Sequence, residues 1–380
     1  MSTSLLEQLP EIVARGRRQA EALLGAQGAD GPPVGLCTRE WVRPPGDRPA
    51  ADPGGWANRL IRGDNLHAMA ALLAGDARTP SLRGRVDLIY ADPPFDSHAR
   101  YHARVDLPGD GPGDAPLTIA PRAYDDAWAG GTAAYLAMMV PRLVLMRELL
   151  AETGSLYLHL DWHASHLLRL IADEVFGRAN FVNEIVWHYP DKLPSGTASL
   201  PKNHDVILCY ARRRSRRRHA PLLVEREEPL RQARKVWNAA LGRWQGYERD
   251  AQGRRVTALR TVRMADDVWR IPAAPVVRGA ERWNYPTQKP AEILRRILAM
   301  SSSPGDLVAD FHAGSGTTAA VAEAMGRRWI SVDAGRPACL VARRRLVRQG
   351  AGPFLVQTVG EPQDGPAPRL VLARVTRQRG

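Results

Sequence analysis

At 380 residues, 44% of them hydrophobic, the chain is long enough for one large α/β domain or two smaller ones with an ample core. Lysine and arginine number 53 against 40 acids, a net charge of +13, which predicts attraction to nucleic acid or another anionic surface and specifies nothing more. Cys37, Cys209 and Cys339 are scattered without a Cys-x-x-Cys pair, which indicates neither a zinc site nor a disulfide framework. No apolar run reaches membrane-spanning length, and Glu7, Glu11 and Arg15 stand where a signal peptide would be apolar. The expected compartment is therefore the cytoplasm, with no membrane partner.

In chain order, Leu5, Leu9, Ile12, Val13, Ala20, Leu23 and Leu24 predict a helix over 4–24, followed by a loop rich in Gly, Pro and Asp to about residue 56. The run Val86-Asp87-Leu88-Ile89-Tyr90-Ala91 reads as a buried strand. Asp92-Pro93-Pro94-Phe95 must end it, because two prolines cannot extend a central ladder. A carboxylate then stands at the carboxyl end of a strand, where open α/β sheets bind ligands. Beside it lie a proline carbonyl with no N–H and an aromatic face. Two acceptors next to a flat plate suit a heterocycle carrying an amino group. Taken alone, the tetrad is equally well read as a strand-ending turn. The stretch 104–132 has no periodicity and is read either as a flap over the site or as a surface insertion.

Helices are predicted at 133–151 and 163–176, around a strand at 155–160, with further strands at 183–187 and 206–210. His159, Asp161, His163 and His166 cluster near the end of the 155–160 strand; a helix entry capped by Asp161 is the favoured reading, and no metal is expected. The character changes at Ala211. Arg212, Arg213, Arg214, Arg216, Arg217 and Arg218 form the densest charge in the chain, and the segment to Trp283 mixes arginines with Trp237, Trp244, Tyr247 and Trp269. Arginines neutralise phosphates and aromatics stack on bases, so this segment is expected to contact DNA.

The last third carries a strand at 306–311, a glycine loop Ala313-Gly314-Ser315-Gly316-Thr317-Thr318, a helix at 319–325 and a strand at 328–332 ending on Asp333. Strand, glycine turn, helix and an acid about twenty residues on is nucleotide-binding logic, the acid holding ribose hydroxyls. Gly314, Gly316 and Ala319 also fit a dinucleotide fingerprint. A pyrophosphate would need the helix N-terminus free of acids, whereas Asp310 directly precedes this loop and Asp92 ends another strand. The acids favour a cationic methyl donor, S-adenosylmethionine, over a nicotinamide dinucleotide.

Taken together these blocks resemble the beta-class amino-DNA methyltransferases, especially adenine methylases related to type III modification subunits. Arg62-Gly63-Asp64-Asn65-Leu66, Asp92–Phe95, Gly154–Asp161 with Phe176-Gly177, Tyr285-Pro286-Thr287-Gln288-Lys289-Pro290, Asp310–Thr318 and Asp333 follow the order of that class over residues 58–348. The resemblance implies a Rossmann-like S-adenosylmethionine-dependent methyltransferase fold: α/β, with a mixed, mostly parallel sheet, circularly permuted so that the catalytic half precedes the cofactor half. The implied divisions are an N-terminal extension (1–57), a catalytic half (58–210), an inserted target-recognition region (211–283), a cofactor half (284–350) and a C-terminal tail (351–380). The implied catalytic residues are Asp92, Pro93, Pro94 and Phe95. The implied cofactor residues are Asp64, Asn65, Asp92, Gln288, Lys289, Asp310, His312, Gly314, Ser315, Gly316, Thr317 and Asp333.

Two departures from the pattern stand out: His312 replaces a usual phenylalanine, and Ser331 stands where a glycine is frequent. The implied reaction is methyl transfer to adenine N6 of double-stranded DNA after base flipping. Cytosine N4, RNA as substrate and a catalytically silent DNA-binding relative are the alternatives. A cognate restriction subunit and a homodimer are the further partners the resemblance admits.

Overall fold

The computed structural model describes residues 4–25, 35–43, 55–76, 80–103, 105–107, 117–119, 122–191, 200–273, 279, 281–360 and 369–372. Parts of four expected segments lie outside them: the loop before residue 56, the stretch 104–132, the segment 211–283 and the tail beyond 350. Two compact units are present: residues up to His219 together with Val268 onward, and Ala220–Asp267.

The first unit is built on an eleven-stranded sheet. Its strands are β1 (Gly35–Arg43), β2 (Asn58–Arg62), β3 (Val86–Ala91), β4 (Leu150–Leu160), β5 (Phe181–His188), β6 (His204–Ala211), β7 (Val268–Arg270), β8 (Leu307–Asp310), β9 (Arg328–Asp333), β10 (Phe354–Gly360) and β11 (Arg369–Leu372). Their order across the sheet is β7-β5-β6-β4-β3-β8-β9-β2-β10-β1-β11. The six central strands, β4 to β10 in that order, pair in parallel throughout. Parallel sheets are covered on both faces, which is why β3, β8 and β9 are nearly continuous apolar runs and were legible as strands.

The helices are α1 (Leu5–Gly25), α2 (Asn65–Ala74), α3 (Gly131–Leu149), α4 (Ser165–Phe176), α5 (Ala291–Ser301), α6 (Thr317–Ala324) and α7 (Arg336–Arg348). The N-terminal helix joins the main core: a Cβ at Gly16 would lie 2.5 Å from Val140 of α3, so α1 and α3 touch backbone to side chain there. From β3 the chain runs to β4 on one side, and from β8 to β9 on the other. The order therefore reverses between β3 and β8, which makes that gap the ligand-binding switch point of the sheet. Among the described residues no helix is long and apolar enough to cross a membrane.

Two segments differ from expectation. Residues 35–43, read as loop, form β1, where a register shift between Thr38 and Glu40 breaks the alternation that marks a strand. Residues 354–360, read as the start of a tail, form β10 between β2 and β1.

The second unit is a smaller β structure. Leu223–Ala233 pairs antiparallel with Thr257–Met264, and between them Lys235–Asn238 pairs with Arg243–Tyr247. On the inner hairpin Trp237 faces Trp244 across the strands, ring centroids 5.3 Å apart.

Candidate active site

The carboxyl ends of β3, β8 and β9 open onto a cavity of about 240 Å³. Asp92, Pro93, Pro94 and Phe95 line it from β3; Asp310, His312, Gly314, Ser315 and Thr317 from the β8 loop; Asp333 from β9; and Asp64, Asn65, Gln288 and Lys289 complete it. Residues from five sequence blocks, separated by up to 269 positions, meet at the switch point. Gly316 does not line the cavity, against expectation. It starts α6 at φ +72°, where an added Cβ would stand 2.7 Å from the Ala342 Cβ, so its task is the contact between α6 and α7.

Asp92 is held by a lysine. Lys289 Nζ donates to both carboxylate oxygens at 2.9 and 2.8 Å and stands 5.0 Å from the Phe95 ring centre. Lys289, expected to contact the cofactor, lines the cavity and pairs with the tetrad carboxylate. After the tetrad the chain turns through Asp96 and His98, both at φ +59°. Asp126 holds that turn: its carboxylate accepts the N–H groups of Phe95, Asp96 and Ser97 at 3.1, 2.9 and 3.0 Å. Sequence reading missed Asp126, which lies thirty-one residues from Phe95. An acid closing a pattern-free stretch, just before a helix, was its only signal.

The cofactor side is rich in acceptors. Asp310 accepts the His312 N–H at 2.9 Å and the Thr318 hydroxyl at 2.5 Å, yet burial pushes its carboxyl up to about 7. Asp333 accepts Gly314 N–H at 2.9 Å and Gly335 N–H at 2.7 Å, and burial still lifts it to about 6. Burial drives His312 down to about 3, so its imidazole is neutral. Its Nδ1 is buried with no protein partner. Two carboxylates without their own cations, beside an unpartnered ring nitrogen, call for a ligand that brings donors and positive charge. An amino acid ammonium, a sulfonium and ribose hydroxyls fit that demand. A pyrophosphate does not, which removes the dinucleotide reading of the glycine loop.

Three expected cofactor residues have structural partners. Asp64 caps α2 through Leu66 N–H at 2.7 Å and pairs with Arg142 at 3.0 Å. Asn65 donates to Phe311 O at 2.8 Å and accepts Arg142 Nε at 2.6 Å. Gln288 spends its amide on Glu281 O and Trp283 N–H at 2.5 and 3.0 Å. All three shape the wall of the cavity, with their polar atoms already committed.

The arginine run requires a correction. β6 is antiparallel to β4, so Ala211 pairs with Ser155 and the run that follows emerges at the amino edge of the sheet. Arg212 bonds Arg147 O at 2.8 Å and Glu148 at 3.1 Å; Arg213 and Arg216 share Glu152 at 2.9 and 2.5 Å; Arg218 pairs with Asp306, just before β8. Only Arg214 and Arg217 have no acid partner in the described ion pairs. A six-residue strand such as β3 spans about 20 Å, which separates this edge from Asp92. The run ties the sheet's far edge together instead of facing the cavity. Among the described residues no group of three or more His, Cys, Asp or Glu is placed to hold a metal.

A family model described as DNA methylase, covering N6 and N4 methyltransferases, matches residues 86–344, and the chain belongs to this family. The family is S-adenosylmethionine-dependent, in keeping with the acceptor-rich cavity. The chain is 27% identical over 322 residues to the type II methyltransferase M.EcaI of Enterobacter cloacae, covering 73% of this chain and 66% of that protein. It is 29% identical over 168 residues to the Mod subunit of the type III restriction-modification enzyme StyLTI of Salmonella typhimurium, covering 41% of this chain and 24% of that protein. The chain thus spans just under two thirds of the first relative and a quarter of the second. Among solved structures, the M1.HpyAVI–SAM complex is similar with a TM-score of 0.44 at 15% identity, over 76% of this chain and 98% of the other.

Proposed function

We propose that this chain transfers a methyl group from S-adenosylmethionine to the N6 amino group of adenine in double-stranded DNA. The observation that carries the reading is the single cavity in which the Asp92–Phe95 tetrad faces the acids Asp310 and Asp333. The bound cofactor supplies an electrophilic methyl group on a sulfonium centre. The rest of the chemistry falls to the protein. An exocyclic amine is a poor nucleophile because its lone pair is conjugated into the ring. Hydrogen bonds from its two hydrogens to Asp92 and the Pro93 carbonyl disfavour that planarity and direct the lone pair across the cavity. Asp92 also stabilises positive charge growing on the nitrogen, and it is the acceptor for the proton the amine sheds as the N–C bond forms. Lys289 keeps the carboxylate aimed while sharing its oxygens with the incoming amine. The amine is out of reach in a stacked duplex, so the base leaves the helix and takes Phe95 as its plate. In-line positioning supplies much of the acceleration.

Adenine is favoured over cytosine because the tetrad opens on Asp92, where cytosine-directed members of the class commonly carry serine. DNA contact is assigned to the second unit. Trp237 and Trp244 are 51% and 61% exposed there, with Lys235 and Arg243 exposed on the same hairpin. Exposed aromatics flanked by cations suit bases and phosphates together. The test is modification-sensitive sequencing of DNA from a strain expressing the chain. N6-methyladenine at one fixed sequence, absent with Asp92→Ala, is expected; identical methylation patterns with both chains would refute the reading.

A further inference from the structure

The mechanism above leaves one buried constellation unused. His159 on β4 is fully buried, and both its ring nitrogens are engaged. Nδ1 meets the Tyr90 hydroxyl at 2.7 Å, and Nε2 meets Asp205 at 3.1 Å. Tyr189 donates to the other Asp205 oxygen at 3.3 Å. Burial raises the Asp205 carboxyl, but the hydrogen bonds from His159 and Tyr189 and the charges around it, Lys289 among them, together outweigh it and leave it below its ordinary value. The Trp187 ring meets the imidazole edge-on, centroids 5.6 Å apart at 83°. Four strands thus contribute to one imidazole: β3 through Tyr90, β4 through His159 itself, β5 through Trp187 and β6 through Asp205.

What this ring supports is Phe95. The imidazole and the Phe95 ring are stacked, 6.3 Å between centroids with 19° between planes. Phe95 lines the cavity and His159 does not, so the imidazole lies behind the plate. A histidine held at both nitrogens cannot rotate about its Cβ–Cγ bond without breaking two hydrogen bonds in a buried site, where each is costly to lose. An apolar side chain of the same size would fill this space without the cost of burying an imidazole and a carboxylate. The polar pair adds a fixed ring plane. Meanwhile Asp126 pins the Phe95 backbone, so both the main chain and the ring of Phe95 are held from outside the tetrad.

We propose that His159, locked by Tyr90 and Asp205, is a positioning residue that sets the plane of Phe95 for the extrahelical base. This rests on the base-flipping methyltransferase reading. The contribution is that of one oriented aromatic contact, about three- to tenfold in capture of the base. It falls on DNA and leaves the cofactor side untouched.

The test uses the full chain and two forms of its DNA, once sequencing has located the site: the unmodified duplex for methyl transfer, and a duplex with 2-aminopurine at the target adenine, which has no 6-amino group and reports flipping alone. His159→Ala and Asp205→Asn should weaken the fluorescence rise on binding and raise KM for DNA about three- to tenfold, with S-adenosylhomocysteine affinity within about twofold of wild type. His159→Phe restores a flat ring behind Phe95 and should fall between wild type and His159→Ala. If His159→Ala does not fold, Tyr90→Phe removes one hydrogen bond at constant shape and should raise KM for DNA about two- to threefold; because Tyr90 itself lines the cavity, the cofactor control is read on Asp205→Asn. A folded variant with wild-type KM for DNA overturns the proposal, as does a parallel loss of cofactor affinity, which would mark His159 as general packing. A wild-type chain that transfers no methyl group to the unmodified duplex overturns the functional reading itself, and this proposal with it.

Discussion

Cofactor affinity should fall steeply between pH 7 and pH 6, because the two acids facing the cofactor titrate in that range. Burial sets Asp310 at about 7 and Asp333 at about 6 in the ligand-free chain. The ammonium and ribose hydroxyls that S-adenosylhomocysteine shares with the methyl donor bind the ionised acids. Each acid has a raised value, so it is protonated on the acid side of that value and the ligand must displace a proton there. At pH 7 about half of Asp310 and about nine tenths of Asp333 are ionised; at pH 6 the fractions are about one eleventh and about half. The product falls about tenfold, so Kd for S-adenosylhomocysteine should rise about tenfold over that single unit. The window lies below the titration of the ligand's own α-amino group, near 8. Calorimetric titration at pH 6.0, 6.5 and 7.0 in constant salt measures it. Asp333→Asn should leave a fall of about fivefold, the share of Asp310 alone. An affinity that is flat across the window, or that rises toward pH 6, would refute the account of the two acids.

Asp92→Ala should abolish methyl transfer while cofactor and DNA affinities stay within about tenfold, because the carboxylate acts chiefly in the transition state; filter-binding and label-transfer assays on one preparation separate the two. Gly316→Ala should unfold the α6–α7 contact, since the position has φ +72° and the new Cβ would stand 2.7 Å from Ala342 Cβ; a melting temperature lowered by several degrees is expected, and an unchanged one would contradict the packing argument. Trp237→Ala with Trp244→Ala should weaken DNA binding, by about 1–3 kcal/mol for each base stack lost. Arg213→Ser with Arg216→Ser should leave the salt dependence of DNA binding unchanged, because both side chains are paired with Glu152. A slope reduced by about two would restore those arginines to the DNA interface.

The parts of the site that sequence made visible are those whose chemistry is local. Pro93 and Pro94 can only end a strand, so Asp92 had to stand at a strand's carboxyl end. Gly314 and Gly316, followed by a helix and Asp333, carry their own spacing. The rest depends on pairings that a linear reading does not contain. The arginines after Ala211 were placed near the target because they follow the catalytic half in the chain. The antiparallel course of β6 puts them on the opposite edge. Lys289 reaches Asp92 across 197 positions, and Asp126 reaches Phe95 across 31. His159 was visible only as one of several clustered histidines, since its partners Tyr90 and Asp205 lie on other strands. β1 was hidden by the shift at Thr38–Glu40, which breaks its alternation. β10 was within reach: Phe354-Leu355-Val356-Gln357-Thr358-Val359 is rich in branched residues, but its place after the last cofactor block made it look like a tail.

The identity of the methylated nucleoside tests the central claim most directly. Unmodified double-stranded DNA is incubated with the chain and S-adenosylmethionine labelled in its methyl group, then digested to nucleosides and resolved by mass spectrometry. The expected result is label in N6-methyl-2′-deoxyadenosine alone, lost with Asp92→Ala. Label confined to N4-methyl-2′-deoxycytidine would contradict the adenine assignment, and DNA carrying no label at all would contradict the proposal that this cavity methylates DNA.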